Sequence, residues 1–215
     1  RRRHDREVMQ PEARAPGGEI VGGLLKLQRE GPGRVIRGAH LAQAGMDRVV
    51  GDRMGMLATI MNGLALNDFL RRRGIASRLF SAVAMSGMVE GYQRDTAQAA
   101  MDSGEVVILT GGTGNPFFTT DTAACLRAVE LGVDAILKAT NVDGVYSADP
   151  KKDPTAERFQ HITYQQVLEQ ELAVMDLTAI VLCKENALPL IVFDASDSRT
   201  LTRLAAGEQL GTRVD

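Results

Sequence analysis

Cysteine is nearly missing from this sequence: Cys125 and Cys183 are the only two. Two thiols in 215 residues make no disulfide scaffold, and no CxxC pair or His/Cys cluster suggests zinc. A reducing cytoplasm is the simplest setting. Long apolar runs are missing too; none approaches the ~18 residues that argue for a membrane span. The opening stretch RRRHDREVMQPEARAPGG has no hydrophobic segment of the secretory kind. Charge of one sign is lacking, with a formal net charge of −2, which gives no reason to expect a nucleic-acid partner. Neither GxxxxGK[ST] nor a GxGxxG after a strand occurs, and no Ser-His-Asp or Cys-His arrangement is evident. His4, His40 and His161 are scattered, and each reads as a surface or structural residue.

What is present fits a soluble α/β domain: 44% hydrophobic and 24% charged residues, enough for a sizeable core. Residues 1–32, rich in Arg, Gly and Pro, stand apart as an atypical segment, read as poorly ordered or mis-templated. Beyond it the spacing predicts a long helix over 54–72 with its apolar face at Met56, Ile60 and Leu64, flanked by Leu57, Met61, Leu66, Phe69 and Leu70, stopped by Gly74. Arg71-Arg72-Arg73 reads as its solvated end. Strands are expected at 75–83, 106–109, 134–140 and 190–193, and helices at 93–103, 120–131, 176–185 and 200–206. Thr163-x-x-Gln166 is a capping-box pattern before another helix, and Gly211–Val214 reads as a short tail. Such alternation implies a mainly parallel sheet between helical layers, a three-layer αβα sandwich.

In open α/β sheets ligands bind beyond the carboxyl ends of the strands, and three loops lie there or nearby. The first, LTGGTGNPFFTTDTAA (Leu109–Ala124), joins a buried strand to a helix start. Glycines allow close backbone approach, and a helix N-terminus offers free N–H groups to an anion. Thr119 and Thr120 add hydroxyls, and Asn115 can donate and accept. Local physics leaves phosphate binding and a plain chain reversal equally open. The second loop, KATNVDGVYSADP (Lys138–Pro150), carries Thr140, Tyr146 and Asp149, and by itself reads as ordinary turns. The third, GPGRVIRGAH (Gly31–His40), carries Arg37 between Gly33 and Gly38, and by itself reads as a surface loop.

Together, RGAHLAQAGMDRVVGDRMGMLATIMNGLAL, GGTGNPFFTTDTAACLRAVE, LKATNVDGVYSADPKKDPTA and VMDLTA closely resemble the bacterial UMP kinase (uridylate kinase) family of the amino acid kinase superfamily. The resemblance runs from about Gly33 to Val214 and sets off 33–215 as the kinase domain. It implies transfer of the ATP γ-phosphoryl group to UMP with Mg²⁺ in pyrimidine nucleotide biosynthesis, a homohexamer, and GTP or UTP as effectors. Residue by residue, it implies that Asp52 holds the UMP ribose and that Thr113, Gly114, Asn115, Pro116, Phe117, Phe118, Thr119 and Thr120 enclose UMP. Thr140, Tyr146 and Asp149 match ATP contacts, Gly33 and Arg37 the glycine-rich phosphate loop, and Asp121 and Asp176 acidic positions near the reacting phosphates. No metal ligand is assigned.

The sequence departs from the family at its start. Nothing matches the family's Lys-x-Ser-Gly strand, and the second glycine loop reads Gly31-Pro32-Gly33-Arg34, where Pro32 removes an N–H donor. Each departure is expected to cost rate, on the order of 10²–10³ by analogy with loss of one transition-state donor. A non-catalytic uridine-nucleotide-binding or regulatory subunit is therefore the alternative. Carbamate or acetylglutamate kinase is a further rival, opposed by TGNPFFTTD and Asp52.

Overall fold

Helices and strands alternate along the chain in a computed structural model that describes residues 45–150, 152–197 and 199–215. The order is α1 (Arg48–Arg72), β1 (Ser77–Ser81), β2 (Glu90–Gly91), α2 (Arg94–Asp102), β3 (Val106–Thr110), α3 (Thr120–Leu131) and β4 (Ile136–Thr140). There follow β5 (His161–Ile162), α4 (Tyr164–Glu169), α5 (Leu177–Glu185), β6 (Leu190–Asp194), α6 (Thr200–Ala205) and β7 (Thr212–Val214). The boundary expected at residue 33 lies outside the described residues.

Among these residues the strands form two sheets. One has the order β2-β1-β3 and is parallel throughout. The other has the order β4-β6-β7-β5, with β4 parallel to β6 and β5 parallel to β7. Only the β6–β7 pair is antiparallel, so the expected tail at 211–214 is instead a strand added to the second sheet. Three residues are too few for a periodic signal to show in sequence.

The first sheet is covered on both faces, which is why Val106–Leu109 reads as an unbroken apolar run. Leu79 and Ile108 pack with Ile60 of α1 on one side. Phe80 and Val107 pack with Ala97 and Ala100 of α2, and with Leu131 of α3, on the other. The opposite end of α3 belongs to the second core, where Cys125 and Ala128 meet Ile180 and Cys183 of α5 and Leu190 of β6. Helix α3 thus spans both sheets. The thiols of Cys125 and Cys183 are free, buried and 3.1 Å apart. Their hydrogen bond, then burial, push the Cys125 thiol up, away from the reactive thiolate.

Helix α1 begins six residues earlier than the spacing predicted. Asp47 caps it, its carboxylate accepting the Val50 N–H at 3.0 Å, and this outweighs the unfavourable Val49-Val50-Gly51 opening. Its expected apolar face is also corrected. Ile60 is buried, but Leu57, Met61, Leu64 and Phe69 are exposed. A helix with apolar residues on every side gives no unique periodic face. Of the arginine run at its end, Arg71 donates to the Ser77 carbonyl and Arg73 lies 3.6 Å from the Phe69 ring centroid.

What α1 turns toward the sheet is small. A Cβ at Gly63 would collide with Thr110 Cγ2 and come within 2.8 Å of Leu79 Cδ1. Thr110 cannot swing away freely, because its hydroxyl donates to the Phe80 carbonyl at 2.8 Å. Gly63→Ala would gain roughly 1 kcal/mol of helix propensity but lose about 1–3 kcal/mol to overpacking. Urea denaturation should therefore show net destabilisation, of up to about 2 kcal/mol.

Candidate active site

The carboxyl ends of β1, β3 and β4 open onto loops that carry most of the expected site. After β3 the chain turns through Gly111, Gly112 and Gly114, all at positive φ. Gly111 packs against the end of β1: a Cβ there would lie 3.0–3.1 Å from Ser81 Oγ, Ala82 N and Val83 N. Its N–H donates to Thr59 Oγ1 of α1 at 2.9 Å. The first function of these glycines is thus to fold the loop back over the sheet and onto α1. Thr113 and Asn115 then close a small turn, the Asn115 N–H donating to Thr113 Oγ1 at 3.1 Å. Pro116 leads into two exposed aromatic rings, Phe117 at 65% and Phe118 at 50% exposure.

Asp52, on the second turn of α1, meets this loop. Its Oδ2 accepts the Phe117 N–H at 2.8 Å, while Arg48 Nε lies 2.9 Å from both of its oxygens. Phe117 has φ +72°, unusual for a residue with a side chain, and its ring lies 5.6 Å from the Arg48 guanidinium carbon.

Two residues further on, at most about 7 Å of backbone, the loop is fastened again. Thr119 caps α3, its hydroxyl oxygen accepting the Thr122 N–H at 3.1 Å, and the same hydroxyl donates to Asp176. Thr122 Oγ1 donates to the other Asp176 oxygen at 2.8 Å. Asp176 itself caps α5 by accepting the Ala179 N–H at 3.1 Å. Burial alone would raise the Asp176 carboxyl. Hydrogen bonds from Thr119, Thr122 and the Ala179 and Thr178 amides outweigh it and hold the group below the usual carboxylate range. The N-terminal ends of two helices, each with a positive dipole end, thereby converge on one carboxylate.

Thr120 opens α3, and Asp121 in its first turn pairs with Lys138 of β4, both side chains largely buried. Beyond β4, Thr140 is occupied in a tight turn, its Oγ1 donating to the Val142 carbonyl at 2.7 Å. The Tyr146 hydroxyl donates to Asp143 at 2.7 Å, and that carboxylate raises the phenol above its ordinary value. Arg158 pairs with Asp143 at 3.4 Å, and Asp149 lies 3.9 Å from Lys152.

The structure therefore joins Asp52 and residues 113–120 to Asp121 and Asp176 through one short loop, and places Thr140, Tyr146 and Asp149 on the neighbouring loop after β4. Gly33 and Arg37 lie outside the described residues. Two participants escaped the sequence reading. Lys138 was signalled by a cation inside an otherwise apolar strand. Arg48 carries no such signal: the spacing predicts a helix only from Met54, which leaves Arg48 outside it and conceals its i,i+4 relation to Asp52. Among the described residues no group of three or more His, Cys, Asp or Glu is placed to hold a metal. Asp121 and Asp176 are committed to Lys138 and to the two threonines, so they form no ready-made magnesium cage. Converging helix ends beside a held lysine suit an anionic reactant whose charge must be offset during reaction.

Comparison with known proteins identifies the family and the fold. The amino acid kinase family model matches residues 15–194. The uridylate kinase of Marinobacter nauticus is 56% identical over 185 residues, covering 86% of this chain and 76% of that protein. The uridylate kinase of Alcanivorax borkumensis is 55% identical over 199 residues, covering 92% and 79%. Among solved structures, UMP kinase from Bacillus anthracis superposes with a TM-score of 0.83 at 33% identity, covering 92% of this chain and 85% of that one. UMP kinase from Ureaplasma parvum gives 0.80 at 38% identity, covering 85% and 78%. No helix among the described residues is long and apolar enough to cross a membrane. By sequence and by fold, the chain belongs to the amino acid kinase family, among its uridylate kinases.

Proposed function

We propose that this chain phosphorylates UMP: an oxygen of the UMP phosphate attacks the γ-phosphorus of ATP, the bond to the β-phosphate bridging oxygen breaks, and UDP and ADP result. The observation that carries this reading is the loop from Gly111 to Thr119, tied to Asp52 through Phe117 and to Asp176 through Thr119. In this reading Asp52 receives the ribose and residues 113–120 surround the nucleotide. Asp121 and Asp176 stand near the reacting phosphates, with Thr140, Tyr146 and Asp149 on the adenosine side. Lys138, held by Asp121, supplies positive charge where the phosphoryl group passes. Gly33 and Arg37 keep their assignment to the phosphates. Phosphoryl transfer asks mostly for alignment and charge compensation, and the UMP phosphate is already a nucleophile, so no dedicated base is required.

Mg²⁺ belongs to the proposal as a companion of the ATP phosphates, since the described carboxylates do not form a resident cage. Two free buried thiols accord with a reducing cytoplasm. A homo-oligomer, the family's hexamer, is supported by α1. Val50, Leu57, Met61 and Leu64 follow a 4/3 seam with Met54 and are exposed, a face that a second copy of the chain would cover.

The direct test is UDP formation from UMP and Mg-ATP by the purified chain, with UMP binding followed by calorimetry. Turnover is expected. Binding without turnover would replace the proposal by a nucleotide-binding subunit, and absence of both would remove it. In the active protein, Lys138→Met should lower kcat by roughly 10²–10³ while leaving the KM for UMP nearly unchanged, as loss of one preorganised charge does.

Asp176 gives a pH-dependent expectation. Its carboxyl is more acidic folded than unfolded, so its share of stability is complete above the unfolded value of about 3.9 and is lost as pH falls through the folded value. Asp176→Ala should cost about 1–3 kcal/mol at pH 7, allowing for partial exposure. The gap to the parent protein in urea melts should narrow below about pH 4.

A further inference from the structure

Arg48 occupies the first position of a 25-residue helix, where a cation opposes the positive end of the helix dipole. Such a placement needs a local reason. Its Nε sits 2.9 Å from both oxygens of Asp52, four residues on, and its guanidinium carbon lies 5.6 Å from the Phe117 ring centroid. Phe117 returns to the same carboxylate through its N–H at 2.8 Å. The three groups form a closed ring: guanidinium to carboxylate, carboxylate to loop amide, loop aromatic ring to guanidinium.

The arrangement has two chemical consequences. A carboxylate can accept about four hydrogen bonds. The single Arg48 Nε–H is shared between both oxygens and the Phe117 amide adds a bond to Oδ2, so among the described residues Oδ1 keeps an open acceptor position. The Asp52 side chain is only 11% exposed and would be costly to leave charged and unpaired. Phe117, meanwhile, sits at φ +72° with both its N–H and its ring engaged by the Asp52–Arg48 pair.

We propose that Arg48 is a positioning residue for the acceptor nucleotide. It aims the remaining lone pair of Asp52 at one sugar hydroxyl and pins the Phe117 segment in its binding shape before the nucleotide arrives. The proposal deepens, and rests on, the reading of this site as the UMP site. Because Arg48 acts through Asp52 and the loop, its removal changes acceptor binding and leaves the phosphoryl-transfer step and the ATP side alone. Lysine is a poor substitute, lacking the planar group that can lie along both carboxylate oxygens and over the ring.

The test compares the parent chain with Arg48→Ala and Arg48→Lys, reading steady-state kinetics and amide hydrogen exchange. Arg48→Ala should raise the KM for UMP about tenfold or more, with kcat and the KM for ATP within about threefold, and Arg48→Lys should recover only part of the loss. In an Asp52→Asn background, Arg48→Ala should add little, because its partner is already changed. In the nucleotide-free protein, Arg48→Ala should speed exchange of the Phe117 amide, with the β3 amides of Val107 and Ile108 unchanged. A KM for UMP within twofold of the parent, or Phe117 exchange unaltered, overturns the proposal. Faster exchange throughout β3 overturns it too, by showing general destabilisation. Should the parent neither bind nor phosphorylate UMP, the functional reading falls, and Phe117 exchange alone still decides whether Arg48 positions the loop.

Discussion

One carboxylate, Asp176, determines how the two halves of the site meet. It caps α5 and accepts hydroxyl hydrogen bonds from Thr119 and Thr122 at the start of α3. Two helix N-termini brought together would repel through their positive dipole ends; a partly buried negative group between them turns that cost into attraction. Behind it, α3 and α5 can approach closely because their facing residues, Cys125, Ala128, Ala179 and Cys183, are small. With α3 fixed at that end, the loop after β3 must finish at Thr119, and Asp121 must face Lys138. The order of the site follows from this tie, and the site is correspondingly exposed to its loss.

Much of this was readable in the sequence because local chemistry and tertiary structure agree. Thr163-x-x-Gln166 forms the full capping box, Thr119 and Asp176 cap the helices that follow them, and Gly132 ends α3 in the left-handed conformation. What could not be read depends on relations across distance. The start of α1 was missed because Val49, Val50 and Gly51 disfavour a helix that a single Asp47 hydrogen bond sustains. Its buried face was missed because Gly63 and Ala58 approach the sheet through the absence of bulk, and hydrophobic periodicity detects bulk. Strand β7 is three residues long and exists because β5 and β6 flank it. The site followed the same division. Asp52, Asp121 and Asp176 belong to recognisable motifs, whereas Lys138 and Arg48 acquire meaning only through partners 17 and four residues away.

The distribution of charge is informative given a net charge of only −2. Among the described residues the site holds single cations at fixed points. Lys138, in the middle of β4, is held by Asp121, and Arg48, at the start of α1, by Asp52. Lys138 is paired and largely withdrawn from water; in the proposed function such a cation would not have to reorganise as charge develops beside it, the condition under which a single charge contributes most to a transition state. The same pairing explains why neither carboxylate is free to build a metal cage.

The loop itself completes the argument. Between its ties to Asp52 and Asp176 run only Phe117 and Phe118, with large exposed rings, and Thr119. Two neighbouring aromatic side chains left in water cost hydrophobic free energy, and the left-handed backbone at Phe117 adds strain. A fold tolerates such a pair where something flat and apolar covers it in the working state, and in the proposed function a nucleotide would supply that face. The loop is held in this costly shape at both ends, so the ordering entropy is met when the protein folds rather than when ligand binds. That division of cost suits a site for a small, flexible phosphate ester: with the loop ordered beforehand, the ligand's binding energy would remain available to align its phosphate for the proposed transfer.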